Sequence, residues 1–241
     1  MPRLPDVFTR LERRLACHQA LHDPVREPRN ALRWLPELRR WQAARLECTF
    51  RRFLEDPRRR AAAMFFLRDV YGDHDFSRRD ADIARVLPMM QALLPKALLS
   101  TVADAIELGS ITHALDLRMA EVLHRSAPRR RRLDASLYAE AYRHVGLPRL
   151  RRRQIDLIGE VGRGFARALH LPGVRALLGF SRGPARAAGL TELQGFLERG
   201  HAAFASLDDA AAFVGEIVDD ERALAERLRS GEPDPFGTGI A

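Results

Sequence analysis

Residues 96–125 read KALLSTVADAIELGSITHALDLRMAEVLHR, the longest apolar segment in the chain. Its apolar residues recur at intervals of three and four, which is the period of an α-helix. One face of such a helix is formed by Leu108, Ile111, Leu115, Met119 and Val122. A single charged residue, Asp104, falls inside that face. The segment therefore predicts a long helix with one side in the core.

The same period runs through most of the chain, whereas the strict alternation of a β-strand is nearly absent. Of the 241 residues 46% are hydrophobic and 30% charged, which is typical of a soluble globular protein. We predict an all-α fold, a multi-helix bundle of about nine to ten helices. Residues 1–55 are expected to form an N-terminal helical hairpin, residues 56–230 the bundle and residues 231–241 a flexible tail.

Several helix ends can be predicted from capping residues. Asp6, Asp134 and Asp208 each precede an apolar periodic segment and are predicted N-caps. Gly146 is expected to end one helix, and Pro148 to begin the next. The pair Asp56 and Pro57 predicts another start. One long helix is expected from about Asn30 through Phe53, with Pro36 in its first turn.

The chain is strongly basic, with a formal net charge of +8, and every basic residue except Lys96 is arginine. Such a bias reflects codon usage as readily as nucleic-acid binding, so we treat binding through arginine clusters as an alternative. The clusters are residues 58–60, 129–132 and 151–153. Residues 190–241 hold 4 arginines against 11 acidic residues. These acids are the expected partners of the clusters, within one chain or between the subunits of a homodimer.

Cysteine content and hydropathy indicate the compartment. Cys17 and Cys48 are the only cysteines, which is too few for a disulfide scaffold and favours a reducing environment. No apolar run approaches the length of a membrane span, and the first residues do not resemble a secretion signal. We expect a cytoplasmic protein without membrane contact.

One short motif carries a family resemblance. Residues 65–72 read FFLRDVYG, and this stretch resembles bacterial proteins labelled by an FFLEELY-type motif. Arg68 and Asp69 stand where that motif has two glutamates, and Val70 replaces its leucine. The resemblance implies no known function. In physical terms the stretch predicts the end of a helix followed by a turn, with the aromatic rings buried.

Polar residues near apolar faces suggest a buried polar network. Asp104 is the strongest case, because a buried carboxylate must be paired or change its protonation. Such a network either fixes helix register or lines a pocket for a small polar ligand. Its expected members besides Asp104 are Asp69, Tyr71, Arg78, Tyr138, Tyr142 and Arg143. His113, His144 and His170 are expected at the surface or at helix ends.

A di-metal oxidoreductase is the catalytic alternative. The spacing Glu-x-x-His occurs at Glu121 with His124 and at Glu198 with His201, and a ferritin-like centre adds one glutamate from each of two further helices. Glu107 and Glu160 are the candidates for these. No nucleotide-binding loop or nucleophile motif is present. We therefore favour a non-catalytic binding or regulatory protein that needs no cofactor, with a protein or small polar ligand as its partner.

Overall fold

The computed structural model describes residues 6–70, 96–169, 179, 182–183 and 191–237. These ranges contain helices and no strand, which confirms the all-α prediction. The helices of four or more residues are α1 (Val7–His22), a 3-10 turn (Pro28–Ala31), α2 (Trp34–Thr49), α3 (Arg51–Glu55), α4 (Arg60–Phe65), a π-helical turn (Phe66–Val70), α5 (Lys96–Ser126), α6 (Ala135–Val145), α7 (Pro148–Leu169), α8 (Thr191–Ala205) and α9 (Ala210–Ser230).

The 31-residue helix α5 is the centre of the bundle, and α1, α2, α6 and α7 all pack against it. It is buried on several sides, not along one stripe as predicted. Leu117, Ala120 and Leu123 are fully buried, whereas Ile111 and Val122 of the predicted face are only partly buried. Neither α5 nor any other helix in the described ranges combines the length and apolar character needed to cross a membrane.

The core is divided into three apolar clusters. The largest joins α4, α7, α8 and α9, and its aromatic centre contains Phe65, Phe66, Phe204 and Phe213. A second cluster lies between α2, α5, α6 and the end of α9. The third is small and holds α1 against α5 through Leu11 and Leu15. Both phenylalanines of the FFLRDVYG stretch are therefore buried, as their motif predicts.

Most of the predicted caps are confirmed. The Asp6 carboxylate accepts a hydrogen bond from the Val7 N–H, and that of Asp134 accepts one from Leu137. Gly146 ends α6 with a φ of 63°, a conformation in which glycine avoids a side-chain clash. The predicted cap of α9 is wrong by one residue, because Asp209 caps the Ala212 N–H.

Two predicted helix starts are wrong. Asn30 lies in the 3-10 turn, and α2 begins at Trp34, which places Pro36 in the first helical turn. The expected long helix is also interrupted at Phe50, where α3 follows. Asp56 is not an N-cap, since its carboxylate accepts from the Arg58 N–H in a local turn and α4 begins only at Arg60.

The two chain ends also differ from the simple division into a hairpin, a bundle and a tail. Helices α1 and α2 each have α5 as a main packing partner. The segment predicted as a flexible tail folds back as far as Gly237, because Arg227 Nε donates to the Pro235 carbonyl at 2.7 Å. Phe236 then packs edge-on against Trp41 and Tyr138. The first part of this segment thereby covers the second core cluster.

Glycine permits a close approach between α7 and α9. A Cβ atom added at Gly162 would lie 2.6 Å from both methyl groups of Val214. A Cβ atom added at Gly215 on α9 would lie in open space, with no heavy atom of another residue within 4 Å. Gly162 therefore sets the separation of the two helices, whereas Gly215 has no such role.

Candidate functional site

Asp104 is half-buried on α5, and its partners lie on α1. Arg14 Nη1 donates to Asp104 Oδ1 at 2.7 Å, and Arg10 Nη2 lies 3.9 Å from the same oxygen. The predicted partners were residues of α6, two residues of the FFLRDVYG stretch and Arg78. The pairing with α1 satisfies the Asp104 carboxylate and helps to fix how α1 packs on α5. None of the other described members of the predicted network contacts Asp104.

The other members of the predicted network lie in separate places. Asp69 pairs with Arg199 of α8, with Nη2 at 2.6 Å from Oδ1. Arg143 is exposed. Tyr71 and Arg78 lie outside the described residues. In the parts of the chain that the structure describes, the predicted residues are thus distributed over three regions and form no common cavity.

Tyr138 and Tyr142 belong to an aromatic row at the boundary of α2 and α6. The Tyr138 ring stacks on Trp41 with 4.3 Å between centroids. The Arg151 guanidinium lies 4.7 Å from the Tyr142 ring centroid, within the range of a cation–π contact. Burial raises the pKa of Tyr142.

The candidate metal ligands are distributed among arginine partners. Arg153 bridges Glu107 and Glu160, at 2.9 Å and 3.0 Å, and this is the one place where two of the glutamates meet. Glu121 pairs with Arg29 at 3.3 Å. His124 is exposed and His201 is half-buried. Within the described ranges no group of three or more histidine, cysteine, aspartate or glutamate side chains suits a metal ion.

Glu198 also has an arginine partner. Arg182 Nε donates to Glu198 Oε1 at 2.7 Å, and Gln194 donates to the same oxygen. The hydrogen bond from Arg182, and next the one from Gln194, lowers the pKa of the Glu198 carboxyl. A carboxylate held in this way has its oxygens committed to neighbours, so the arrangement is that of a surface ion pair.

Two of the three arginine clusters are largely satisfied by acids or by burial. In the first, Arg58 pairs with Asp208 and Arg59 with Glu216, both at 2.8 Å. In the third, Arg153 holds two glutamates as described, and Arg151 is buried. The acids at the C-terminal end of the chain thus neutralise arginines of the same chain.

The second cluster, residues 129–132, is different. Arg130 pairs with Asp134, one turn along the chain. Neither Arg129 nor Arg131 lies in a salt bridge with the residues that the structure describes. Both are exposed, and both face a cleft.

We call this feature the arginine cleft. It is an open cavity of about 630 Å³ between the N-terminus of α2 and the loop that joins α5 to α6. It is lined by Arg33, Trp34, Glu37, Arg40, Pro128, Arg129 and Arg131. Four guanidinium groups and one carboxylate therefore share one concave surface, which is the kind of arrangement that binds anions.

Hydrogen bonds hold the two walls of the arginine cleft together. Arg33 Nη2 donates to the Pro128 carbonyl at 2.7 Å and so connects α2 to the loop. Glu37 accepts from the Leu133 N–H at 3.3 Å and from Arg40 Nη2 at 2.9 Å. The cleft is consequently fixed by contacts at its edges, and the positive charge of Arg129 and Arg131 faces open space.

A second cavity of about 270 Å³ lies between α7 and α9. Its lining carries three acids and two arginines, and all three acids pair with arginines. Arg222 donates to Asp156 at 2.9 Å, and Glu160 is held by Arg153. The near balance of charge gives this smaller cavity no clear preference for an ion of either sign.

A buried polar cluster around His113 was missed from the sequence. His113 is only 4% exposed, which corrects the expectation of a surface or capping histidine. Arg39 Nη2 lies 2.8 Å from its Nδ1, and Asn30 Oδ1 lies 2.9 Å from its Nε2. The His22 ring stacks on the His113 ring with 3.9 Å between their centroids, and the His18 ring centroid lies 4.2 Å from that of His22. The signal available from the sequence was that His113 is a polar residue within the helical pattern of α5. The partners of His113 lie far away in the chain, so the sequence alone did not identify them.

Charge and burial act together on this cluster. Burial, and next the neighbouring His22 and Arg39, lowers the pKa of His113 to about 3. One turn away, Gln42 donates to the buried carboxylate of Asp116 at 3.1 Å, and burial raises the pKa of Asp116. The groups contact one another across three helices, so the cluster joins α1, α2 and α5.

A family comparison extends over nearly all of this architecture. A model described as a domain of unknown function, DUF8198, matches residues 21–235. The chain belongs to this family. The DUF8198 match includes both walls of the arginine cleft and His113, while most of α1 precedes it. Neither the curated proteins nor the solved structures include a match to the chain.

Proposed function

We propose that this DUF8198 protein is a non-catalytic, cytoplasmic binding or regulatory protein, and that the arginine cleft holds its anionic partner. One observation carries the proposal. Arg129 and Arg131 face a cleft of about 630 Å³ without a carboxylate partner among the described residues, while acids of the same chain engage Arg58, Arg59 and Arg153 of the other two clusters. An arginine that its own protein leaves uncompensated is available to an external anion.

The salt bridges favour this function over the di-metal alternative. A carboxylate that ligates iron or manganese needs free oxygen atoms that point to a common centre. Glu107, Glu160 and Glu198 instead direct oxygens to arginines on the protein itself. These contacts support a structural role for the three glutamates.

In the third arginine cluster one arginine is buried and another is paired with acids, which favours a cleft-sized ligand over a long nucleic-acid track. Arg151 is 9% exposed, and Arg153 is committed to two glutamates. A continuous basic surface from residues 129–132 to residues 151–153 would need both to be free at the surface. At the arginine cleft, Arg129 and Arg131 are both exposed, line one concave surface and have no acid partner among the described residues.

A homodimer stays a prediction of the sequence. The prediction of a homodimer rested on the opposite charges of the arginine clusters and of the acidic residues 190–241. Within one chain Asp208, Glu216 and Glu221 already pair with arginines. Fewer acids therefore stay available to pair with the arginines of a second copy. Sedimentation at low salt measures directly whether the protein is a monomer or a dimer.

Thermal unfolding tests the proposed site. Unfolding midpoints are measured in sodium sulfate, sodium citrate and sodium pyrophosphate, each against sodium chloride at the same ionic strength. A ligand that binds the folded state raises the midpoint. We expect at least one of the three anions to raise it, and the double variant Arg129→Gln/Arg131→Gln to lose most of that rise.

A matched control is available in the same loop. Arg130→Gln removes the same charge from the neighbouring position, but Arg130 pairs with Asp134 and does not line the cleft. We expect this variant to keep the anion-dependent rise. Equal responses in the wild type and the double variant would overturn the proposed function.

A further inference from the structure

We propose that the ligand of the arginine cleft carries two adjacent phosphate groups. This inference rests on the proposed function, since it names the chemical class of the anion that the same site would bind. It depends on three properties of the described residues: the net charge of the cleft, the number of uncommitted N–H donors, and the volume.

The net charge of the lining exceeds what one phosphate neutralises. Four arginines and Glu37 give the cleft a formal charge of +3, that is, four positive charges minus one negative charge. A single phosphate ester carries roughly 1.5 to 2 negative charges at neutral pH. Two adjacent phosphates match the cleft, whereas one phosphate or one carboxylate leaves arginines uncompensated.

The donors are arranged in two pairs on opposite walls. Arg33, directly before α2, and Arg40 of α2 lie on one wall, and Arg129 and Arg131 lie on the facing loop. Each guanidinium has five N–H donors in a planar fork that fits phosphate oxygens. Arg33 uses part of its donors on the Pro128 and Ala127 carbonyls, and Arg40 uses part of its own on Glu37 and the Pro36 carbonyl. Both walls therefore contribute guanidinium donors to the same space, where two adjacent phosphates can share them.

The volume of the cleft leaves room for an organic group as well. About 630 Å³ lies within the range of roughly 300 to 1,000 Å³ that small-molecule sites have. Pro128 is exposed and adds apolar surface beside the arginines, whereas Trp34 is buried behind them. The site is thus suited to a small diphosphate ester, with inorganic pyrophosphate as the simplest probe of its charged part.

Isothermal titration calorimetry tests this ligand class. Sodium pyrophosphate, sodium orthophosphate and sodium citrate are titrated separately into the full chain at constant ionic strength. We expect pyrophosphate to bind at least tenfold more tightly than either of the others. Citrate is the essential comparator, because it carries several negative charges without a phosphate group.

Three variants relate the binding to the cleft. Arg129→Gln/Arg131→Gln is expected to weaken pyrophosphate binding at least tenfold, and Arg130→Gln to change it less than twofold. Glu37→Gln removes the one negative charge of the lining while its amide oxygen can still accept from the Leu133 N–H. This variant is expected to bind pyrophosphate severalfold more tightly. Circular dichroism spectra that match the wild type establish that each variant is folded.

The possible outcomes separate this inference from the proposed function. If citrate or orthophosphate binds as tightly as pyrophosphate in an arginine-dependent manner, the diphosphate class is wrong and the anion site stands. If a short single-stranded oligonucleotide binds more tightly than pyrophosphate and competes with it, the phosphates belong to a nucleic-acid backbone and the small-ligand inference is overturned. If the double variant binds all of these anions as the wild type does, both proposals fail.

Discussion

Arg39 donates a hydrogen bond from Nη2 to Nδ1 of His113 across 2.8 Å, and this contact determines the protonation of the imidazole. A guanidinium has no acceptor, so Nδ1 must be the atom with the lone pair. The proton therefore resides on Nε2, which donates to Asn30 Oδ1 at 2.9 Å. Adding a second proton would break the bond to Arg39 and place two positive charges side by side.

We predict that His113 stays neutral through the whole range in which a free histidine titrates. Its folded pKa of about 3 lies below the ordinary value of 6.5. Between these values the unfolded chain binds the additional proton, so stability is fully present above pH 6.5 and falls as the pH decreases toward 3. The expected slope from this one group is up to about 1.4 kcal/mol per pH unit.

Urea denaturation at pH 7, 5.5 and 4.5 measures that slope, with His113→Gln as the variant that cannot titrate. The wild type is expected to be the more stable protein at pH 7, and its advantage should decrease as the pH falls. An advantage that is independent of pH would show that His113 is protonated in the folded protein as easily as in the unfolded one.

A second prediction contrasts two ion pairs on the same helix. Arg45 is buried, and its Nη1 lies 2.6 Å from Glu221 Oε1. Glu221→Gln leaves a buried positive charge without its carboxylate, which is expected to lower the free energy of unfolding by about 3 kcal/mol. Glu226→Gln removes the same charge from an exposed pair with Arg229 and should leave the urea midpoint unchanged. Similar effects of the two substitutions would contradict the burial of the first pair.

A third prediction concerns the helix contact at Gly162. Gly162→Ala is expected to destabilise the protein by about 1 to 3 kcal/mol, since its methyl group would clash with Val214. Gly215→Ala, in open space within α9, should stabilise it by about 0.5 to 1 kcal/mol through helix propensity. The sign of the difference between the two urea midpoints is the measurement. A stabilising Gly162→Ala would mean that α7 and α9 are farther apart than described.

The features that the sequence predicted well are local ones. Asp6, Asp134 and Gly146 cap helices because a cap depends on neighbours within about four residues. The predicted faces of α5 were less accurate, since periodicity indicates a helix but does not show how many other helices surround it. Four packing partners bury sides of α5 that a two-layer arrangement would expose.

The candidate site depends on contacts that local patterns do not encode. Arg33 meets Pro128 across 95 residues of chain, and Arg39 meets His113 across 74. The sequence did single out residues 129–132 as a basic cluster. It could not show that Arg33 and Arg40 face the same space, or that the acids of the C-terminal helices would be occupied elsewhere. Those facts follow from tertiary packing.

The most direct test of the central claim is the NMR spectrum of the arginine Nε–Hε groups during a titration with sodium pyrophosphate, with resonances assigned through the single Arg→Gln variants. We predict saturable shifts for Arg33, Arg40, Arg129 and Arg131, while Arg130 and the distant Arg58 stay unchanged. Shifts that do not saturate, or that are equal for Arg58 and for the arginines of the cleft, would show only diffuse ion association and would contradict a binding site in the arginine cleft.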